Sequence, residues 1–184
     1  MATAARWIRL GPSGPRGLHA ACIGLSTSQF ARAAPIVLWA RASAPLVGAF
    51  LDVEQDHFTF ALIAPLRLAP GRRSRWRGWG LAPALATYRR FGVRAYLDGD
   101  ALCLGGRRIG QSGAQAVGGC AVVAASFLPR LPEARDDWVE RDLEAAFRER
   151  VEAQHGWQFE NSWPSQAERA AIADAFAGEI ADAK

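Results

Sequence analysis

The sequence has almost no lysine. It carries 22 basic residues, and Lys184, the last in the chain, is the only lysine among them. No internal lysine exists for Schiff-base chemistry, for a P-loop, or for an adenylation site built around an ammonium group. Cysteine is also scarce. Cys22, Cys103 and Cys120 lie far apart and match no zinc spacing. The plain expectation for each is a reduced, buried small hydrophobe. The three histidines, His19, His57 and His155, have no metal spacing either. No stretch approaches the roughly 18 uninterrupted apolar residues of a membrane helix. Residues 1–16 contain arginine and proline and no apolar signal core. A cytoplasmic protein without a membrane segment is expected.

What is present fits one globular unit. The 184 residues, half of them apolar and 22% charged, suffice for one core and are too few for two comfortable domains. The charge is uneven. Residues 1–110 hold fifteen arginines against five carboxylates, and residues 111–184 hold seven basic against thirteen acidic residues. A basic half can meet an acidic partner or a phosphate, or bridge to the acidic C-terminal helices.

Along the chain, glycine and proline in residues 1–17 predict a mobile lead-in, with a single domain over 18–184. Ser26 to Ala34 is a helical candidate. Ile36 to Trp39, Leu46 to Val53 and Asp56 to Ala64 read as strands. Leu81 to Phe91 reads as a helix closed by Gly92. Asp98-Gly99 and Gly105-Gly106 are hairpin signals, and an apolar strand runs from Ala114 to Leu128, interrupted at Gly118-Gly119. Two helices close the chain. The first carries Val139, Leu143, Phe147 and Val151 on one face, and the second opens with the capping box Ser165-x-x-Glu168 and carries Ile172, Phe176 and Ile180. Trp157, Phe159 and Trp163 are expected to pin the loop between these helices. The pattern is α+β, a mixed, mostly antiparallel sheet with flanking helices.

The run Asp98-Gly99-Asp100-Ala101-Leu102-Cys103-Leu104-Gly105-Gly106-Arg107-Arg108-Ile109-Gly110-Gln111-Ser112-Gly113-Ala114-Gln115, preceded by the helix from Leu81, resembles the second half of the catalytic domain of biotin/lipoate protein ligases and octanoyltransferases. The likeness covers about a hundred residues, and its motifs are of moderate specificity. It implies the sheet-and-helix fold shared by biotin synthetases and class II aminoacyl-tRNA synthetases. It also implies a groove for a lipoyl, octanoyl or biotinyl group, with ATP as co-substrate in an active ligase and a lipoyl or biotinyl carrier domain as partner. By this resemblance Asp100, Gly106, Ile109, Gly110, Ser112 and Gly113 line the substrate wall. Arg108 stands where the family has its catalytic lysine. A lysine there stabilises charge on the acyl oxygen, and small residues let a ligand lie close to main chain.

Two departures set limits. Arginine is a planar fork rather than a point charge, so Arg108 is not a conservative replacement. The family's arginine- and glycine-rich nucleotide loops are missing from their usual place. Arg72, Arg73 and Arg75, in the basic stretch Gly71 to Gly80, are the remaining candidates for a phosphate grip. Two readings follow: a degenerate ligase or acyltransferase, and a non-catalytic module binding an acyl ligand or a modified partner. His57 is a further candidate base, with a solvent-facing strand histidine as the plainer reading. Trp76 and Trp79 among arginines could stack on bases, but more often such rings cover a core edge under arginine stems. No recognised nucleic-acid module accompanies them.

Overall fold

The computed structural model describes residues 2–11, 15–42, 57–127 and 140–182. The elements are β1 (Thr3–Arg9), α1 (Pro15–Ser26), α2 (Gln29–Ala33), β2 (Ile36–Arg41), β3 (Phe58–Pro65), α3 (Trp76–Arg90), β4 (Tyr96–Asp98), β5 (Ala101–Leu104), β6 (Arg107–Val117), β7 (Cys120–Phe127), α4 (Glu140–His155), β8 (Trp157–Ser162) and α5 (Gln166–Asp182). Two 3-10 turns, Leu66–Leu68 and Arg73–Arg75, precede α3. The eight strands form one sheet in the order β4-β5-β6-β7-β3-β2-β1-β8. Only β1 pairs in parallel, with β2 and with β8; the other ladders are antiparallel. This is the expected α+β class.

The central strands β3 and β7 are buried along their whole length. Helices cover both faces there, so these strands are apolar throughout rather than alternating. On one face α3 and α4 bring Trp76, Leu81, Ala84, Tyr88, Leu143, Phe147 and Val151 onto Trp7, Trp39, Phe60, Val123 and Phe127. On the other, α1 and α2 bring Leu18, Cys22, Leu25 and Ala31 onto Ile8, Ile36, Leu38, Ile63 and Val122. The second layer is completed by α5, which crosses α1 closely. A Cβ at Gly24 would sit 2.6 Å from the backbone nitrogen of Ile172, so only glycine permits that crossing. Among the described residues no helix is long and apolar enough to span a membrane.

Both expected hairpins form, at Asp98-Gly99, where Asp98 pairs with Ala101, and at Gly105-Gly106. The strand expected from Ala114 on is instead the end of β6 and the whole of β7, joined by a third hairpin at Gly118-Gly119. Gly105 and Gly106 have φ of 55° and 78°, and Gly118 and Gly119 have 58° and 86°. Positive φ at both central positions is what a two-residue hairpin with matching twist requires. Gly92 closes α3 at φ 79°. The capping box forms: Glu168 N–H donates to Ser165 Oγ at 3.2 Å, and Ser165 N–H donates to Glu168 Oε2 at 2.7 Å.

Several expectations are corrected. Residues 3–9, expected in a mobile lead-in, are β1, held between β2 and β8. The helix expected over Ser26 to Ala34 is the shorter α2, Gln29–Ala33, capped by Ser28, whose Oγ accepts from Ala31 N–H at 3.1 Å, and α1, Pro15–Ser26, stands before it where part of the lead-in was expected. Helix α3 begins five residues before Leu81, at Trp76, and carries Pro83 inside it. The expected loop at Trp157 and Phe159 is β8, whose alternation of buried Trp157 and Phe159 with exposed Gln158 and Glu160 is a period-2 signal. Trp163 is 77% exposed and pins nothing, and Phe176 is also exposed. The strand expected over Leu46 to Val53 lies outside the described residues, as does Val139 of the first closing helix.

Candidate functional site

Strand β6 carries most of the motif, and its register decides which residues meet. Arg108 pairs with Cys103 and Gly110 with Leu102, so Ile109 is an extra residue, a β-bulge. Leu102 and Cys103 are neighbours on β5 and face opposite ways. Arg108 and Gly110 therefore lie on opposite faces. Gln111 pairs with Ala101, which shares the face of Cys103, so Arg108 and Gln111 stand together. Farther along, Gly113 pairs with Ala124 on the α1 face, while Ser112 pairs with Ala125 on the α3–α4 face.

The expected substrate wall is thereby divided. Arg108 and Gly113 share one face. Gly110, Ser112 and Ile109 belong to the other side. Ile109 is buried in the α3–α4 core. Ser112 fixes a turn: its N–H donates to the Asp100 carbonyl at 2.8 Å and its hydroxyl to the same oxygen at 2.9 Å. Asp100 is exposed beside Gly99, and Gly106 is a hairpin glycine. A Cβ on Gly110 would sit 3.0 Å from the Ser126 carbonyl oxygen, so this glycine serves the contact between β6 and β7.

The α1 face grades from bulky to small. Toward the Gly118–Gly119 turn its rows are built on Val122, Ile63 and Ile36. Toward Arg108 they become Ala124, Ala61 and Leu38, then Ser126, Thr59 and Ala40. Thr59 donates its hydroxyl to the Ala40 carbonyl at 3.3 Å. Ser126 Oγ and Gln111 Oε1 are buried with no hydrogen-bond partner. Unpaired buried polar atoms are rare, and each calls for an explanation such as an absent ligand or water. Neither Gln111 nor Ser126 is singled out by the sequence motif, and the face that Gln111 takes depends on the bulge, which no residue pattern announces.

The arginines expected to grip a nucleotide are elsewhere. Leu66 N–H donates to the Gly119 carbonyl, so the chain leaves β3 at the β6–β7 turn. Helix α3 then runs back along the sheet: Gly80 packs on Val123, and the rings of Tyr88 and Phe127 lie 5.1 Å apart. Arg72, Arg73 and Arg75 precede that helix and sit at the far end of β3, eight residues long, about 25 Å from the Arg108 end at 3.3 Å per residue. Arg73 lies over the Trp76 ring at 5.7 Å, and Trp76 Nε1 donates to the Pro70 carbonyl at 2.6 Å. Trp76 is thus a core-edge ring under an arginine. The segment joining β2 to β3, residues 43–56, contains no basic residue. Arg72, Arg73 and Arg75 are not gathered with Arg108.

Cys22 and Cys120 are structural. Burial pushes Cys22 up to about 12 and also raises Cys120, and Cys120 Sγ donates to the Ser26 and Ala31 carbonyls. Neither thiol is poised as a nucleophile. His57 is 7% exposed at the mouth of β3 rather than facing solvent; Asp52 and Asp56 lie outside the described residues. Among the described residues no three His, Cys, Asp or Glu side chains gather as a metal site.

No protein-family model matches the sequence, and no curated protein matches it. Solved structures do. A lipoate protein ligase from Thermoplasma acidophilum, described as bi-partite and studied with its E2 lipoyl domain, superposes at TM-score 0.77 with 10% identity, over 95% of this chain and 92% of that one. A lipoate-protein ligase A bound with ATP gives 0.75 and 10% over 95% and 94%. A biotin protein ligase from Leishmania major, in complex with biotinyl-5-AMP, gives 0.56 and 10% over 95% and 80%. At such identity the likeness establishes architecture. The chain has the fold of the lipoate and biotin protein ligases, in a strongly diverged sequence.

Proposed function

We propose that this chain binds a lipoyl, octanoyl or biotinyl acid along the α1 face of the sheet, as a degenerate relative of the ligases that has lost adenylation. The reading is supported by the bulge at Ile109, which turns residue 108 to the same face as Gln111 and Gly113. A guanidinium takes a carboxylate through two parallel hydrogen bonds. The row beyond it, Gly113, Ala124, Ala61 and Leu38, is smallest at the Gly113 end, where an acyl chain would lie against the backbone, and is filled by the α1-side core from Ala124 on. Ser126 Oγ and Gln111 Oε1 supply uncharged partners for a polar group of the ligand.

The lack of any internal lysine, and the placement of Arg72, Arg73 and Arg75 at the opposite end, argue against ATP-driven activation at this site. The test is direct. The protein is incubated with ATP, with octanoate, lipoate or biotin, and with an apo carrier domain, and the carrier's mass is followed. The protein's melting temperature is recorded with each acid alone. A rise in melting temperature with one acid and no mass gain on the carrier is expected. A mass gain shows that ligase activity survives. No thermal shift with any of the acids removes the acyl-binding reading.

A further inference from the structure

We infer that the β4 end of the sheet is the docking surface for the acidic face of a protein partner, which adds an extended segment to the β4 edge. The inference rests on the proposed function in one respect, that the partner is a lipoyl or biotinyl carrier domain. The surface itself follows from the fold.

Strand β4 is an outermost strand. Asp98 and Ala101 flank a two-residue turn and pair with each other, as do Tyr96 and Cys103. In such a hairpin the peptide groups of the intervening residue, Leu97, point away from the partner strand, to the open edge. An edge of this kind takes up an incoming strand through main-chain hydrogen bonds. Beside it lies a cleft of about 590 Å³ lined by Arg89, Gly92, Val93, Arg94, Ala95 and Tyr96.

The charge at this edge is unspent. Arg89 and Arg94 are exposed and make no ion pair among the described residues, and the same holds for Arg107 and Arg108 on β6. Arg90, by contrast, is paired with Glu149. With Arg108 assigned to the acyl carboxylate, Arg89, Arg94 and Arg107 around an open strand still call for carboxylates, and complementary charge steers encounter and fixes register. A peptide satisfies both features, because its backbone matches the edge and its acidic side chains match the arginines. A nucleic acid would match only the arginines. Among the described residues Tyr96 is the one exposed large aromatic at this end of the sheet, which is too few for a stacking platform.

The position also suits delivery. Tyr96, Cys103 and Arg108 form one row across three strands, so the docked edge is two strand spacings, about 10 Å, from the Arg108 guanidinium's strand. A partner held on β4 presents its side chains toward the same face as Gln111 and Gly113.

The experiment measures binding of an apo E2 lipoyl domain and an apo biotin carrier domain to the full chain by isothermal titration at 0.05 M and 0.3 M NaCl. The proposal expects binding of one of them that weakens with salt. It expects a loss of about tenfold or more in the double variant Arg89→Glu/Arg94→Glu, and none in Arg72→Glu/Arg73→Glu at the opposite end. Both pairs are exposed, and unchanged melting temperatures check that the variants fold. Absence of binding by either domain, equal affinity in the β4 variant, or equal loss in both variants overturns it. So does selective loss of a 20-nucleotide single-stranded RNA in the β4 variant with the carrier domain unaffected. The two readings fail separately. Salt-sensitive docking without any acid-induced thermal shift sinks only the acyl site. A thermal shift with no loss at Arg89→Glu/Arg94→Glu sinks only the docking surface.

Discussion

Arg108 and Gln111, three positions apart on β6, stand on the same face of the sheet because Ile109 between them is the extra residue of a bulge. In an unbroken strand they would face opposite ways. The bulge sends Ile109 into the α3–α4 core and leaves Arg108 exposed.

Adjacent positions should therefore respond in opposite ways. Ile109→Ala empties part of a filled core and should cost about 2–4 kcal/mol. Arg108→Ala removes an exposed side chain without an ion pair and should change stability by less than about 0.5 kcal/mol. Urea denaturation of the two variants checks both. Comparable losses would mean that Arg108 is part of the packing.

The α1–α5 crossing gives a second test. Gly24→Ala places a methyl group 2.6 Å from the Ile172 backbone nitrogen, and backbone cannot move aside as a flexible side chain can. A loss of about 1–3 kcal/mol is expected from overpacking. Gly178→Ala in α5 meets nothing within 4 Å and should stabilise by about 0.5–1 kcal/mol, as alanine does over glycine in an exposed helix. Thermal melts of both variants would show shifts of opposite sign.

The acid limb of the stability curve should have two separable parts. Burial between the Trp79 and Trp157 rings lowers His155 to about 4. The unfolded chain takes up that proton near 6.5, so stability falls as pH drops from about 6.5 to about 4. In His155→Phe this slope should flatten. Glu168 behaves differently. Burial works against its charge, but the Arg6 hydrogen bond and the Ser165 backbone and hydroxyl contacts outweigh it and hold the carboxyl below its ordinary value. Its contribution is present above the ordinary carboxylate range and is lost as pH falls through the lowered value.

Removing Glu168 tests that pair. Arg6 donates to Glu168 Oε1 and to the Trp163 carbonyl, both at 2.6 Å, and to Ser162 Oγ at 2.9 Å. Glu168→Gln leaves Arg6, 12% exposed, without its counter-ion. Loss of one partner of a buried pair costs about 3 kcal/mol or more. Urea titrations at pH 7 and pH 4 should show the difference from the unsubstituted protein shrinking at the lower pH.

Much of the architecture was legible because local chemistry dictated it. Asp98-Gly99, the paired glycines at 105–106, Gly92 and the Ser165–Glu168 box announce turns and caps, and each performs that role. β1 was hidden because the glycines and prolines at 11–17 suggested a loop that extended too far back. β8 was hidden because six residues between two helices read as a connection, although Trp157 and Phe159 alternate with polar residues. The site was less legible for a different reason. A motif matched residue by residue assumes regular alternation, and the bulge exchanges faces within it. Gly110 and Ser112 matched the wall in sequence yet serve packing and a turn, while Gln111, outside the expected set, joins Arg108. The arginines at 72–75 looked available for a phosphate until the direction of α3 placed them at the wrong end of the sheet.

The most direct test is isothermal titration of octanoate, lipoate and biotin into the unsubstituted protein, Arg108→Ala and Arg75→Ala. The account predicts that the unsubstituted protein and Arg75→Ala bind at least one of these acids near one-to-one. It predicts about tenfold weaker binding by Arg108→Ala, some 1.4 kcal/mol, with an unchanged melting temperature. Equal affinity in Arg108→Ala, or no binding of any of the three acids, would contradict it.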